Sequence, residues 1–184
     1  MQIKYFKLLL GIFFLQFLIQ KNNAQIPTYI GGNLNLAFNS NSTNLGLNPE
    51  LMYSINDYVD LGGGLIFNYY NTTFNQVDLT KINYGLSAIS RCWLSNRFCI
   101  TLQPEFNFIN TNAKSSIVQS NYKTSLAAPA LLLGIGYGSR NVSENVYSIN
   151  IMVDLINDKN SPYYQDNSKS YTPIIRAGIG IYLR

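Results

Sequence analysis

Glu50, Arg91, Glu105 and Arg176 each stand among apolar or small residues, and an ionisable group in such company either does chemistry or holds something in place. Two carboxylates could act as a general acid and a general base. The chain has no histidine, however, which removes the usual base of serine and cysteine hydrolases and the commonest zinc ligand. Pairing each carboxylate with one arginine uses all four groups without catalysis. No catalytic residue, metal ligand or cofactor is expected. Cys92 and Cys99 flank the short segment "LSNR" at Leu94 to Arg97. A disulfide there would staple a turn if Trp93 pairs with Phe98, whereas strict alternation puts the two thiols on opposite faces and forbids it. The three N-x-[ST] patterns at Asn41, Asn71 and Asn141 are what so asparagine-rich a chain contains by chance, and "GIGYG" at Gly134 to Gly138 lacks the helix that a phosphate loop requires.

The elements that must position these groups show a period of two. In the closing "YTPIIRAGIGIYLR", Pro173, Ile175, Ala177, Ile179, Ile181 and Leu183 share one face, and Arg176 lies on the other with Gly178, Gly180 and Tyr182. Seven earlier segments alternate likewise, apolar residues opposing small, polar or charged ones: Ile30, Leu34, Leu36 and Phe38 oppose Gly31, Asn33, Asn35 and Ala37, and Phe98, Ile100, Leu102, Phe106 and Phe108 oppose Thr101, Gln103, Glu105 and Asn107. The connections alternate as well. They are short at Asn56 to Tyr58 and Leu94 to Arg97 and modest near Ser139 to Glu144. They are longer and polar near Asn39 to Gly46, Thr72 to Thr80, Asn110 to Lys123 and Asn157 to Ser170. Tight turns on one side and long loops on the other mark an up-and-down barrel of an outer membrane.

The N-terminus reads as an export signal. Lys4 and Lys7 precede an apolar core of 12 residues, Leu8 to Ile19, and a polar stretch ends at Ala24. A helical span needs about 20 residues, so residues 1–24 are expected to be removed and 25–184 to form one barrel domain. No cysteine follows the expected cut, which disfavours a lipoprotein. Lys4, Lys7 and Lys21 leave with the signal, so 10 of the 13 basic residues remain against 9 acidic ones. No basic cluster for nucleic acid exists.

The expected fold is all-β: an eight-stranded antiparallel up-and-down transmembrane β-barrel of strands of about 10–12 residues, closed so that lipid meets no open edge. Tyr29, Tyr53, Tyr69, Trp93, Phe98, Phe108, Tyr137, Tyr147 and Tyr171 are assigned to interfacial girdles. Pro49, Pro104, Pro129 and Pro173, all on the outer face, call for bulges or locally broken pairing. The bore of eight strands is just wide enough for side chains. It is expected to contain Glu50, Asp60, Arg91, Glu105, Asp154 and Arg176, with Arg91 and Arg176 held by Glu50 and Glu105 in a structural charge cluster. The alternative is that these groups lie near the mouths, solvated. A filled bore argues against a wide pore.

The stretches "NAQ" (Asn23 to Gln25), "LGLNPELMYSINDYVDLGGGLIFNYYN" (Leu45 to Asn71), "YGLSAISRCWL" (Tyr84 to Leu94) and "RAGIGIYLR" (Arg176 to Arg184) resemble the small outer-membrane β-barrel proteins of Bacteroidetes-type bacteria, within the porin-like and OmpA/OmpX-like group. The resemblance covers nearly all of the chain after residue 24 and implies a Gram-negative cell envelope, outer-membrane lipids as partners and insertion by the barrel-assembly machinery. Such chains usually end on an aromatic residue, whereas here Tyr182 is followed by Leu183 and Arg184. The implied role is structural or surface-interacting, through extracellular loops that touch an unidentified ligand. Two alternatives are a narrow channel for small solutes or ions and a secreted soluble barrel that binds an apolar ligand inside, with every strand facing the opposite way.

Overall fold

The computed structural model describes residues 27–39, 42–74, 77–115, 121–140, 145–164 and 173–183. The expected signal peptide and its cut lie outside them, as do Asn41, Asn141, Tyr171, Arg184 and the side chains of Leu36, Ala37 and Phe38. Eight antiparallel strands follow in chain order: β1 (Thr28–Asn39), β2 (Ser42–Asn56), β3 (Val59–Phe74), β4 (Val77–Trp93), β5 (Phe98–Ser115), β6 (Asn121–Ser139), β7 (Val146–Asp154) and β8 (Ile174–Leu183). Each pairs with its neighbour in sequence, and β8 returns to β1 from Thr28↔Leu183 to Leu34↔Ala177, closing the barrel.

The alternation decides which side chains meet the surroundings. Ile30, Leu47, Leu86, Ile135, Ile149 and Ile175 are 51%, 53%, 61%, 68%, 55% and 63% exposed on the outer wall, while Arg176 is 1% exposed inside. The polarity of a soluble protein is thereby turned inside out. The bore is narrow because small residues line it. At the inward-facing Gly85, a Cβ would collide with the Phe106 carbonyl of β5, so only glycine fits.

The strands are longer than the sequence suggests: β2 to β6 run 15–19 residues. The segments expected as loops, Asn39 to Gly46, Thr72 to Thr80 and Asn110 to Lys123, are largely continuations of the hairpins; Lys81↔Thr111 and Asn112↔Lys123 are ladder pairs. The ladder persists there although the hydropathy alternation fades. The exception is the connection after β7. The β6–β7 ladder begins only at Leu132↔Asp154, so the upper part of β6 has no β7 beside it, and the chain from Leu155 leaves the sheet.

Pro49 and Pro104 each interrupt pairing on one side of their strand. Between β2 and β3, Leu47↔Phe67 and Glu50↔Gly64 keep one register, but no ladder pair forms at Asn48 and Pro49. Between β4 and β5, Ser87↔Glu105 and Ser90↔Leu102 bracket a similar gap at Gln103 and Pro104. Pro129 pairs with Phe106 on the β5 side, above the start of the β6–β7 ladder. Pro173 precedes β8 and lies in no strand, which corrects its assignment to one. The register shift in this region falls instead between Ser54 and Asn56, away from any proline.

Two aromatics expected in the girdles are inside. Tyr29 and Trp93 are each 2% exposed, whereas Tyr53, Phe98, Tyr137 and Tyr147 do face outward near the end that carries the termini. Tyr29 shares the parity of Asn33, and Trp93 that of Arg91, so the pleat takes both inward. Tyr29, Met52, Ile89 and Val146 form an apolar layer in the lumen, against which Tyr182 packs.

Candidate functional site

The lumen contains two polar clusters at different heights. The first lies toward the end with the termini and the short turns. Asp60, on β3, accepts from the Trp93 indole at 2.7 Å, from the Tyr29 hydroxyl at 3.2 Å and from Arg140 at 2.7 Å. Arg91 on β4 donates to the Tyr29 oxygen at 3.0 Å and lies 3.6 Å from Glu50 of β2, which also accepts from Asn33. Four strands are therefore tied across the bore. Arg140, in the turn after β6, reaches back under the barrel to the carbonyl oxygens of Asn56 (2.6 Å) and Asp57. Its guanidinium thereby ties the turn after β6 to the turn between β2 and β3.

The second cluster is nearer the opposite end. Glu105 of β5 faces Arg176 of β8, with Nη1 2.9 Å from Oε1, an ion-pair contact not aligned as a hydrogen bond. Glu105 also accepts from Gln103 (3.2 Å), Asn107 (3.3 Å) and the Tyr163 hydroxyl (2.7 Å), and Arg176 donates to the same hydroxyl at 2.7 Å. Tyr163 belongs to the β7–β8 connection, which folds back into the mouth. Its ring lies 5.8 Å from the Arg176 guanidinium carbon and packs against Ala130, Leu132 and Met152. Withdrawal from water pushes the Tyr163 phenol well above the ordinary tyrosine range, so it stays protonated and serves as a donor to Glu105. Asp154 anchors the same connection: it accepts from the Ser161 hydroxyl at 2.8 Å and from the backbone N–H of Leu131 and Ile156, each at 3.1 Å.

Of the charges assigned to the interior, Glu50 and Arg91 are brought together, as are Glu105 and Arg176, all buried. Asp60 and Asp154 are buried too, but Asp60 meets Arg140 and Asp154 meets a loop hydroxyl and backbone amides. Sequence reasoning missed Arg140 and Tyr163, which lie in connections where no periodicity signals an inward face. For Tyr29 and Trp93 the signal was present, since parity with the neighbouring lumen residues fixes their direction.

Cys92 and Cys99 are both free, the first exposed and the second buried. The ladder pairs Trp93 with Cys99 and Cys92 with Ile100, so the thiols stand on opposite faces and the disulfide alternative is excluded by register. Gel mobility should therefore not change on reduction, and both thiols should react with maleimide after denaturation without reductant. Labelling of neither thiol until reductant is added would contradict the register.

Neither a protein-family model nor a curated protein matches the sequence. Among solved structures the barrel is similar to Ail, the attachment invasion locus protein of Yersinia pestis. The crystal structure of Ail alone aligns at 11% identity with a TM-score of 0.53, and its complex with the heparin analogue sucrose octasulfate at 12% with 0.52; each covers 85% of this chain and 97% of the other. The N-terminal β-barrel domain of Pseudomonas aeruginosa OprF aligns at 10% identity over 86% of this chain and 98% of its own, with a TM-score of 0.46. Ail is an outer membrane protein. The fold of this chain is that of the small eight-stranded outer-membrane β-barrels.

Proposed function

We propose that the chain is an integral outer-membrane barrel with a plugged lumen, whose role is structural or surface-interacting and is carried by the end opposite its termini. The single observation behind this reading is the reversed polarity: an outer wall of exposed isoleucine, leucine and phenylalanine around buried Arg91–Glu50 and Arg176–Glu105 pairs. In water such a wall would be a patch far larger than soluble monomers tolerate. In lipid it is the required surface, and closure leaves no unpaired strand edge around the belt.

Two clusters at different heights, one tied to Arg140 and one capped by Tyr163, support a bore that does not conduct. A role without catalysis is supported by the lack of histidine and by the engagement of both interior glutamates with arginine. Ail, which shares the fold and is named for attachment and invasion, supports a surface-interaction role.

Cell fractionation followed by gel electrophoresis with and without boiling tests this reading. The protein is expected in the membrane fraction, with a mobility that changes on boiling. Recovery in the aqueous fraction, with no such change, would overturn it. Planar-bilayer recordings should show no steady conductance, and a steady one would replace the plugged barrel with a narrow channel.

A further inference from the structure

Above the Glu105–Tyr163–Arg176 cluster the barrel continues as a cup. Lys81 and Thr111 form one inward-facing cross-strand pair of β4 and β5, and Ile109 and Leu126 form the next pair down, on β5 and β6. The fourth side, where β6 has no β7 partner, is closed by the connection from Lys159 to Tyr164. The space within this open cup is about 470 Å³, within the range of small-molecule sites, roughly 300–1,000 Å³.

Three features suit this cup to a ligand. It is held in shape, because the segment forming its fourth side is fastened into the lumen by Ser161 to Asp154 at 2.8 Å and Tyr163 to Glu105 at 2.7 Å, so little ordering remains for a ligand to impose. Among the described residues its charge is of one sign: Lys81 and Lys159 both line it, no acidic residue does, and neither lysine has a carboxylate at ion-pair distance. The nearest acid in sequence, Asp158, accepts from the backbone N–H of Asn160 at 2.7 Å. Below the ammonium groups the lining turns apolar, with Ile109, Leu126 and Pro162.

We propose that this cup binds a small organic dianion with an apolar body, such as an aryl phosphate, its charge between Lys81 and Lys159 and its body against Ile109, Leu126 and Pro162. The lysines and the apolar wall are matched to different parts of one solute, which a bare inorganic ion would not use. Because Lys81, Thr111, Ile109 and Leu126 occupy the inward parity of their strands, the ligand is a dissolved solute and not a lipid headgroup. The proposal rests on the reading of this end of the barrel as solvent-facing, and it gives the surface-interaction role a site.

Phenyl phosphate is the probe, titrated by calorimetry into the protein reconstituted in phosphatidylcholine vesicles. Empty vesicles serve as the blank, and inorganic phosphate and phenyl glucoside as comparison ligands. The preparation is first shown to change mobility on boiling, so that failure of the barrel reading is seen separately from failure of the site. Saturable binding of phenyl phosphate is expected, with weaker binding of both comparison ligands. The exposed Lys81→Gln/Lys159→Gln double variant should lower its affinity about five- to tenfold. No saturable binding above the blank, unchanged affinity in the double variant, or inorganic phosphate binding as tightly as phenyl phosphate would each overturn the proposal.

Discussion

Replacing Glu105 with leucine is expected to cost the folded barrel about 3–5 kcal/mol, the loss incurred when one partner of a buried ion pair is removed. Glu105 is 4% exposed and Arg176 1%. Without the carboxylate, the Arg176 guanidinium keeps the Tyr163 oxygen as a neighbour but no compensating charge, and Gln103, Asn107 and Tyr163 lose their acceptor. A desolvated cation and three stranded donors act in the same direction.

Urea titration in lipid vesicles, reading the folded fraction on an unboiled gel, measures the loss. Glu105→Gln keeps the shape and one acceptor oxygen and should cost less than Glu105→Leu. The double variant Glu105→Leu/Arg176→Met removes both charges and should recover most of the loss, so a double-mutant cycle should show coupling well above additivity. A Glu105→Leu cost below about 1 kcal/mol would mean that the pair is solvated as a surface salt bridge is. The alternative drawn from the sequence, charges dispersed at wet mouths, would then hold for this cluster.

Legibility in the sequence followed periodicity. Where one face meets an apolar surround and the other a narrow polar bore, as at Leu47 to Tyr53 or Ile175 to Ile181, hydropathy alternates strictly and assigns each side chain to its face. Glu50, Arg91, Glu105 and Arg176 could be placed inside because each occupies the inward parity of such a segment. Tyr29 and Trp93 were open to the same reasoning, and residue type misled: an aromatic near a strand end suggests a girdle, but parity prevails because the pleat leaves no choice of face.

Beyond such segments the pattern is silent. The upper halves of β5 and β6 carry Asn110, Thr111, Asn112 and Lys123 and read as loop, although their ladder is continuous. Arg140 and Tyr163 lie in connections, where the direction of a side chain depends on tertiary contacts alone. The contacts of these two residues thus have no local signature, and the cup lined by Lys81 and Lys159 could be seen only once the β7–β8 connection had been placed.

Ile151→Arg should destabilise the barrel in lipid by about 2–4 kcal/mol, the penalty for a cation facing hydrocarbon near the bilayer midplane. Ile151 is 50% exposed and pairs with Ile135 and Ile175, so three adjacent strands present isoleucine at one height. Tyr147→Arg on the same strand and face lies near the end that carries the termini, where Phe98 and Tyr137 pack edge to face at 5.3 Å, and interfacial depth lowers its expected cost to about 0–1 kcal/mol. The contrast between the two is more informative than either value. A soluble barrel with the same backbone would expose Ile151 to water, and arginine there would shift stability by no more than about 0.5 kcal/mol at either position. A steep dependence on position along β7, measured by urea titration in vesicles, therefore reports hydrocarbon against the outer wall, and a flat one would remove the membrane from the argument.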